Sequence, residues 1–429
     1  MTALSGLTVI ETAERVCGEW TGRLLADFGA QVIKVERPGG SPTRRFGPHV
    51  AGESTLFAYC NTGKKSVVLD LASDAGHSAL QALLARADAL IDDRDAAGAA
   101  ALGLDPETLR GAHPGLVHCH IAPLGADTPP ERAHAQPIAI AASGGWAWHT
   151  PSESRPQDPP LMGAGRFMAD YDTGLDAAIA TAAALLRKRR SANPASAGQS
   201  ITISEVAVQL SRADVVMGRV LAGDDEPGHS RRRYDMGGPG DVFACADGHV
   251  HLVMMTRAHW AGLRALMDEP GWCAEFPDDW LEFHCTPERV ARFREAFRTW
   301  IAGQQRNPVS EQAQKLGVPL VPVNTAKDLF ENAQYRHRGY FQSLTDPALG
   351  TQLYPGVPYR MTASPVRLSS AAPAPDADRA EIMYGGMPGV LRCARATGAD
   401  RLPASACSPS PRSGPGPTPP SCSPSSAPR

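Results

Sequence analysis

The sequence predicts an α/β protein: a Rossmann-like large domain on a mostly parallel sheet, with a smaller α/β domain. Three observations carry this prediction. Strand-like and helix-like segments alternate through the first 120 or so residues. A long Ala-rich helical stretch then leads into another short strand near residues 174–204. Beyond about residue 225 the character changes, with Trp260, Trp272, Trp280 and Trp300 spread through helical segments.

Leu7 to Glu11 is a β-branched run that reads as the first strand. Glu19 to Phe28 carries Leu24, Leu25 and Phe28 at helical spacing, and Gly29 suits a left-handed helix end. Gln31 to Glu36 alternates as a second strand. Ser66 to Leu71, Ala89 to Asp92 and Leu116 to Ile121 read as further strands, with a helix over Asp74 to Arg86. Strand–helix alternation of this kind builds a parallel sheet with helices on both faces. A Pro-rich stretch from Thr150 to Pro160 interrupts the pattern. The Ala-rich helix over Gly174 to Arg190 follows, then the strand Ser200 to Ser204. The domain expectation is residues 1–224 for the first part of the large domain, 225–316 for the small one, and 317–391 for a return to the large one. From about Arg392 the chain is Pro- and Ser-rich, too poor in apolar residues to offset the entropy of ordering, so residues 392–429 are expected to be disordered.

With 429 residues, 42% hydrophobic and 20% charged, the chain is long enough to bury two cores. A formal net charge of -3 and 6% aromatic residues give no case for a nucleic-acid partner. The apolar run Leu175 to Leu186 is short and contains Asp176, so no membrane span is expected. The N-terminus shows no basic-then-apolar leader, and the nine cysteines lack CxxC spacing. Both features point to a cytoplasmic protein with reduced thiols and no metal site.

Four stretches stand out by their order and spacing. They are LSGLTVIETAERVCGEWTGRLLADFGAQVIKVERPGGSPTRRFGP near the N-terminus, NTGKKSVVLDL at Asn61 to Leu71, ADYDTGLDAAIATAAALLRKRR with GQSITIS from Ala169 to Ser204, and DVFACADGHVHL at Asp241 to Leu252. GVPLVPVNTAKDLFENAQYRHRGYF supports them later. Together, over about Leu4 to Arg367, they resemble the class III coenzyme A-transferases, the formyl-CoA, carnitine-CoA and bile-acid CoA-transferase type.

The resemblance implies that Asp170 is the nucleophile, attacking a thioester to form a mixed anhydride. A carboxylate at a helix N-terminus suits that work, because exposed backbone N–H groups stabilise negative charge there. Taken alone, Asp170 reads as an N-terminal cap, and Asp172 is assigned to that role instead. The resemblance further implies that Arg37 meets CoA phosphates, that Val16 and Cys17 line the CoA site from the loop after the first strand, and that Leu69 lies beside the adenine. On residue type alone, these three apolar positions are core and Arg37 is a solvated loop residue. The family's usual Glu-Asn-Phe is here Asp92-Asp93-Arg94, and an expected arginine falls on Ala101. Phosphate and adenine contacts are thereby lost, with Arg94 a candidate to compensate. His134 falls where some members carry a lysine facing the cofactor. Gly237, Gly238 and Gly240 fall near a mobile glycine loop of the family, or else form an interdomain turn. Trp146, Trp148 and His149 either shape a pocket or pack in the core.

The implied reaction moves CoA from a donor acyl-CoA to an acceptor carboxylic acid, with CoA as substrate and product and no metal or redox cofactor. An interlocked homodimer is expected. The segment AERVCGEW to LLADFGA looks closer to members acting on carnitine-like, bile-acid or branched acyl groups than to formyl-CoA:oxalate enzymes. Two alternatives remain: a 2-methylacyl-CoA racemase, whose second base would be a histidine at the position of Ala135, one place from His134, and a non-catalytic CoA-binding paralogue.

Overall fold

The computed structural model describes residues 2–126, 128–145, 166–212, 221, 223 and 238–384. By its internal contacts the chain divides into two units, Met1–Val390 and Leu391–Arg429. The Pro- and Ser-rich tail therefore lies outside the described residues, as do Gly237, Trp146, Trp148 and His149.

The first unit is organised on a six-stranded parallel sheet. Its strands are β1 (Thr8–Glu11), β2 (Gln31–Glu36), β5 (Lys65–Val68), β6 (Ala89–Asp92), β7 (Val117–Ala122) and β8 (Gln199–Ser204), in the order β5-β2-β1-β6-β7-β8. The short pair β3 (His49–Val50) and β4 (Glu53–Ser54) forms a separate antiparallel ribbon. All neighbours in the large sheet run parallel. Central strands such as β1 and β6 are buried along their whole length, which is why they read as continuous apolar runs. Helices cover the sheet: α1 (Val16–Asp27), α2 (Thr55–Cys60), α3 (Asp74–Leu84), α4 (Ala96–Ala101), α5 (Pro106–Ala112), α6 (Pro137–Ser143), α7 (Met168–Arg190) and α8 (Glu205–Arg212). One core gathers Val9, Cys17, Leu25, Val32, Ile91, Cys119, Ala177 and Leu185. The other gathers Ile10, Ile33, Val67, Leu80, Leu83, Leu90 and Ile382. Each face of the sheet contributes alternate residues to one core, so Val9 and Ile10 fall on opposite sides.

The outer edge of β5 is closed by a later segment. Asp378 accepts the Ser66 N–H at 2.9 Å and Asp376 accepts the Val68 N–H at 2.7 Å. Gly29 takes φ +96 just past α1, the left-handed end that its glycine permits.

A third core lies in residues 243–320. Strands β9 (Asp241–Cys245), β10 (Gly248–Leu252) and β11 (Leu320–Pro322) form an antiparallel sheet in the order β11-β10-β9. Helices α9 (Arg257–Leu266), α10 (Trp280–Phe283), α11 (Pro287–Ile301) and α12 (Arg306–Lys315) accompany it. Trp260, Trp280, Phe293 and Phe297 are fully buried in this core, with Phe276 against them. Their rings meet mostly edge-on or tilted, for example Trp260 against Trp280 at 5.9 Å and 85°. The tryptophans scattered in the sequence thus converge on one aromatic cluster. Among the described residues no helix is long and apolar enough to cross a membrane. The six cysteines among them are free thiols.

Candidate active site

Strand order places the site. Chain connections lead from β1 to β2 on one side of the sheet, while β6 pairs on the other side of β1. The loops leaving the C-terminal ends of β1 and β6 therefore diverge, and the crevice between them is where open α/β sheets bind ligands. Here the two loops are tied together. Asp93, just past β6, accepts the backbone N–H of Glu14 at 2.9 Å and of Arg15 at 2.8 Å.

Helix α1 begins at Val16, with Arg15 as its N-cap residue and no side-chain cap. In its first turn, the Cys17 N–H donates to the carboxylate of Asp170. Asp170 itself lies in the first turn of α7, which begins at Met168. The nucleophile candidate thus stands within its helix, not ahead of it. Two helix N-termini converge on one carboxylate, each contributing partial positive charge. Close approach of the helices requires glycine. A Cβ on Gly174 would stand 2.6 Å from the Cys17 carbonyl oxygen and 2.9 Å from Trp20. Thr21 bridges the pair, donating to the Cys17 carbonyl at 2.8 Å and lying 3.3 Å from the Gly174 carbonyl.

Asp170 is almost fully buried, and its Oδ2 has no hydrogen-bond partner. Burial pushes its pKa up to about 7, and neighbouring Glu205 adds to the rise. Arg15 and the Cys17 N–H oppose it, while Asp93 contributes a further increase. Asp93 is likewise pushed up to about 7, chiefly by burial.

Glu205 opens α8 directly after β8 and is completely buried. Its two oxygens face the two terminal nitrogens of Arg15: Nη1 bonds Oε1, and Nη2 lies 2.8 Å from Oε2. Burial raises the Glu205 pKa against the pull of Arg15. The sulfur of Cys17 and carboxylate oxygens of Asp170 and Glu205 all lie within 4.8 Å of one another. That spacing is compatible with a cation, and in this structure the adjacent positive charge is the Arg15 guanidinium. Burial pushes the Cys17 thiol well up, which keeps it protonated.

Beneath α1 lies a buried ion cluster. Lys34 Nζ is 2.9 Å from both Glu11 and Glu19 and donates to the Ala13 carbonyl at 3.1 Å. Lys64 Nζ donates to Glu11 at 2.7 Å, to the Glu19 carbonyl at 2.7 Å and to Asn61 at 2.8 Å. Thr43 and Asn61 complete the partners of Glu19. Two of the four stretches singled out in the sequence therefore meet here: NTGKK supplies Asn61 and Lys64, while VIETAERVCGEW supplies Glu11 and Glu19.

A family model described as CoA-transferase family III matches residues 4–379. The chain belongs to CoA-transferase family III. Members act on acyl-CoA and carboxylic acids, with CoA as part of the substrate. The succinyl-CoA:mesaconate CoA-transferase of Haloarcula hispanica is 28% identical over 395 residues, covering 89% of this chain and 96% of that protein. The succinate–glutarate CoA-transferase of Agrobacterium fabrum is 30% identical, covering 89% of this chain and 94% of that one. The crystal structure of a CAIB/BAIF family protein from Brucella suis matches with a TM-score of 0.72 at 28% identity, over 89% of this chain and 99% of that chain.

Within this family III CoA-transferase, the sequence-selected residues are distributed unevenly. Val16 and Cys17 are buried at the start of α1, as part of the helix and not of a loop. Arg37 follows β2 on the same side of the sheet, 48% exposed and 3.6 Å from Glu14. Leu69 is buried in the opposite core, its N–H donating to the Glu36 carbonyl at 2.8 Å. Arg94 is held by Asp92 at 2.6 Å. His134 is 82% exposed and 3.5 Å from Asp95. The carbonyls of Gly238 and Gly240 each accept from Arg294 of α11 at 2.9 Å. Asp172 is not a helix cap: it lies 3.4 Å from Gln209 and 3.9 Å from Arg212. The three acids Asp92, at the end of β6, and Asp93 and Asp95, just past it, are structural partners. Asp92 accepts from Thr12, Asp93 holds the β1–α1 loop, and Asp95 caps α4. Nothing local in the sequence marks Arg15 and Glu205 as partners, because 190 residues separate them.

Proposed function

We propose that the chain transfers CoA from a donor acyl-CoA to an acceptor carboxylic acid, with Asp170 carrying the acyl group. One observation supports this above the rest: a buried carboxylate whose Oδ2 has no partner, set where two helix N-termini meet.

The Asp170 carboxylate attacks the thioester carbonyl. Backbone N–H groups of α1 stabilise the tetrahedral oxyanion, and the C–S bond breaks to release CoA as thiolate. The thiolate then attacks the aspartyl carbonyl of the mixed anhydride. Its C–O bond breaks, so the first acid leaves as a carboxylate and Asp170 holds CoA as a thioester. The acceptor carboxylate attacks that thioester and expels the thiolate, forming a second anhydride. Attack of the thiolate on the acceptor's carbonyl yields the new acyl-CoA and regenerates Asp170. One carboxylate and one thioester enter and leave at each turn, so no net proton moves. Among the described residues, Glu205 and Asp93, the acids that act on Asp170, are both engaged by other partners, which fits this balance. For the racemase reading, position 135 is alanine, and its carbonyl lies 3.5 Å from Arg15 Nη2. Glu205 would be the remaining base, but both of its oxygens are engaged by Arg15.

CoA is expected to lie along the crevice from Val16 and Cys17 towards Arg37, whose exposed guanidinium suits a phosphate. Gly238 and Gly240 are proposed to belong to a loop that shields the anhydride. Residues 225–316 are proposed as the small domain, which holds most of the aromatic core. A homodimer would cover Leu175, Ile179 and Leu186, exposed on one face of α7. The two relatives above carry succinyl-CoA or succinate in their names, which makes short dicarboxylic acids the first substrates to try.

Exposure to a pool of acyl-CoAs with hydroxylamine, followed by peptide mass mapping, tests the reading. A hydroxamate on Asp170 that requires acyl-CoA supports it. Absence of the hydroxamate with every thioester, alongside turnover of acyl-CoA, would sink it.

A further inference from the structure

Each turnover releases one carboxylate beside Asp170 and takes up another. A carboxylate leaving water for a buried site needs a cationic or N–H partner, or its desolvation opposes binding. Of the charged groups that act most strongly on Asp170, Glu205 and Asp93 are acidic and Arg15 alone is positive.

Arg15 is held at both ends. Its backbone N–H donates to Asp93 at 2.8 Å, and its two terminal nitrogens are engaged by Glu205. A guanidinium has five N–H donors in one plane. Two go to Glu205 and one reaches towards the Ala135 carbonyl at 3.5 Å. The partners also differ in exposure: the Glu205 side chain is wholly buried, whereas that of Arg15 is 23% exposed. An immobilised guanidinium that keeps N–H donors beyond those given to Glu205 is what a bound carboxylate needs, because little side-chain entropy remains to be lost.

We propose that Arg15 binds the reacting carboxylate of the substrate acid beside Asp170, and that Glu205 is the positioning residue that aims it. The assignment rests on the Asp170 reading above. It gives Glu205 a role distinct from a base: with both oxygens committed, it fixes the direction of the guanidinium.

The test uses the full chain and the acyl-CoA that labels the wild type, with isotope exchange between that acyl-CoA and its own free acid as the readout. Arg15→Gln is expected to raise the KM for the acid at least about tenfold, equivalent to about 1.4 kcal/mol of binding. Hydroxamate still forms on Asp170 in this variant at about pH 9, above the folded-state titration of Asp170. Arg15→Lys, which keeps the charge but loses the fork, falls between the two. Glu205→Gln raises the KM for the acid more than it lowers kcat. An unchanged acid KM in Arg15→Gln, with Asp170 still trapped, overturns the assignment and leaves the Asp170 reading standing. Loss of trapping in Arg15→Gln alone also overturns it, since Arg15 would then serve the nucleophile. Failure to trap Asp170 in the wild type removes both.

Discussion

Replacing Asp170 by asparagine separates the cost of keeping a buried carboxylate from everything else in the fold. Burial and Glu205 raise the folded-state pKa of Asp170 from 3.8 to about 7. Below the unfolded value, both states hold the proton and the residue costs nothing through ionisation. As pH rises towards about 7, the unfolded chain ionises while the folded protein keeps its proton, so stability falls. The loss is about 1.4 kcal/mol per pH unit and reaches about 4 kcal/mol above pH 7. Asparagine does not titrate. Its amide oxygen can still accept the Cys17 N–H, while its NH2 would occupy the place of the unpartnered Oδ2 at a cost of about 1–3 kcal/mol. That cost is independent of pH. The stability of Asp170→Asn relative to the wild type should therefore improve by about 3 kcal/mol between about pH 5 and pH 8. Urea unfolding at the two pH values measures the difference. Parallel stability–pH profiles for the two proteins would show that Asp170 does not carry the raised pKa, and the account of its environment would fail.

Gly174→Ala should abolish activity and destabilise by about 1–3 kcal/mol, because the 2.6 Å approach to the Cys17 carbonyl outweighs the roughly 1 kcal/mol helix-propensity gain. Chemical denaturation and acyl-CoA turnover check both effects. Lys34→Met leaves Glu11 and Glu19 without one of their buried cations and should cost about 3–5 kcal/mol, read as a lowered urea midpoint with unchanged m-value. Arg37→Ala should leave stability within about 1 kcal/mol, since its ion pair with Glu14 is exposed. Its KM for acyl-CoA should rise about tenfold, and steady-state kinetics at saturating acid would show it.

Legibility in the sequence followed the range of the interactions. Strands Gln31–Glu36 and Ala89–Asp92 emerge from the pattern to the residue, because a buried parallel strand is a run of β-branched and apolar side chains bounded by turns. Helices α1 and α7 start earlier than the sequence pattern predicts, at Val16 and Met168. Neither carries a side-chain cap: Arg15 and Phe167 stand at the N-cap positions, where Ser, Thr, Asp or Asn would announce a helix. The sequence singled out Asp170 through the stretch around it, and the structure places it in a buried crevice. Arg15, Glu205 and the job of Asp93 depend on contacts across 78 to 190 residues, which no window of sequence displays. Asp93 in particular reads as a charge intruding on a nucleotide site, whereas in the fold it accepts two backbone N–H groups.

The cluster of Glu11, Glu19, Lys34 and Lys64 also constrains how this chain can drift. Two acids and two bases share one water-free space, so any lone neutral replacement strands a charge of the opposite sign. Paired changes that remove one charge of each sign escape that penalty. The double replacement Glu11→Gln with Lys64→Met should cost markedly less than the sum of its parts. Viable paths through sequence space around α1 therefore run diagonally, two positions at a time, and a library built from single substitutions would find this region nearly closed.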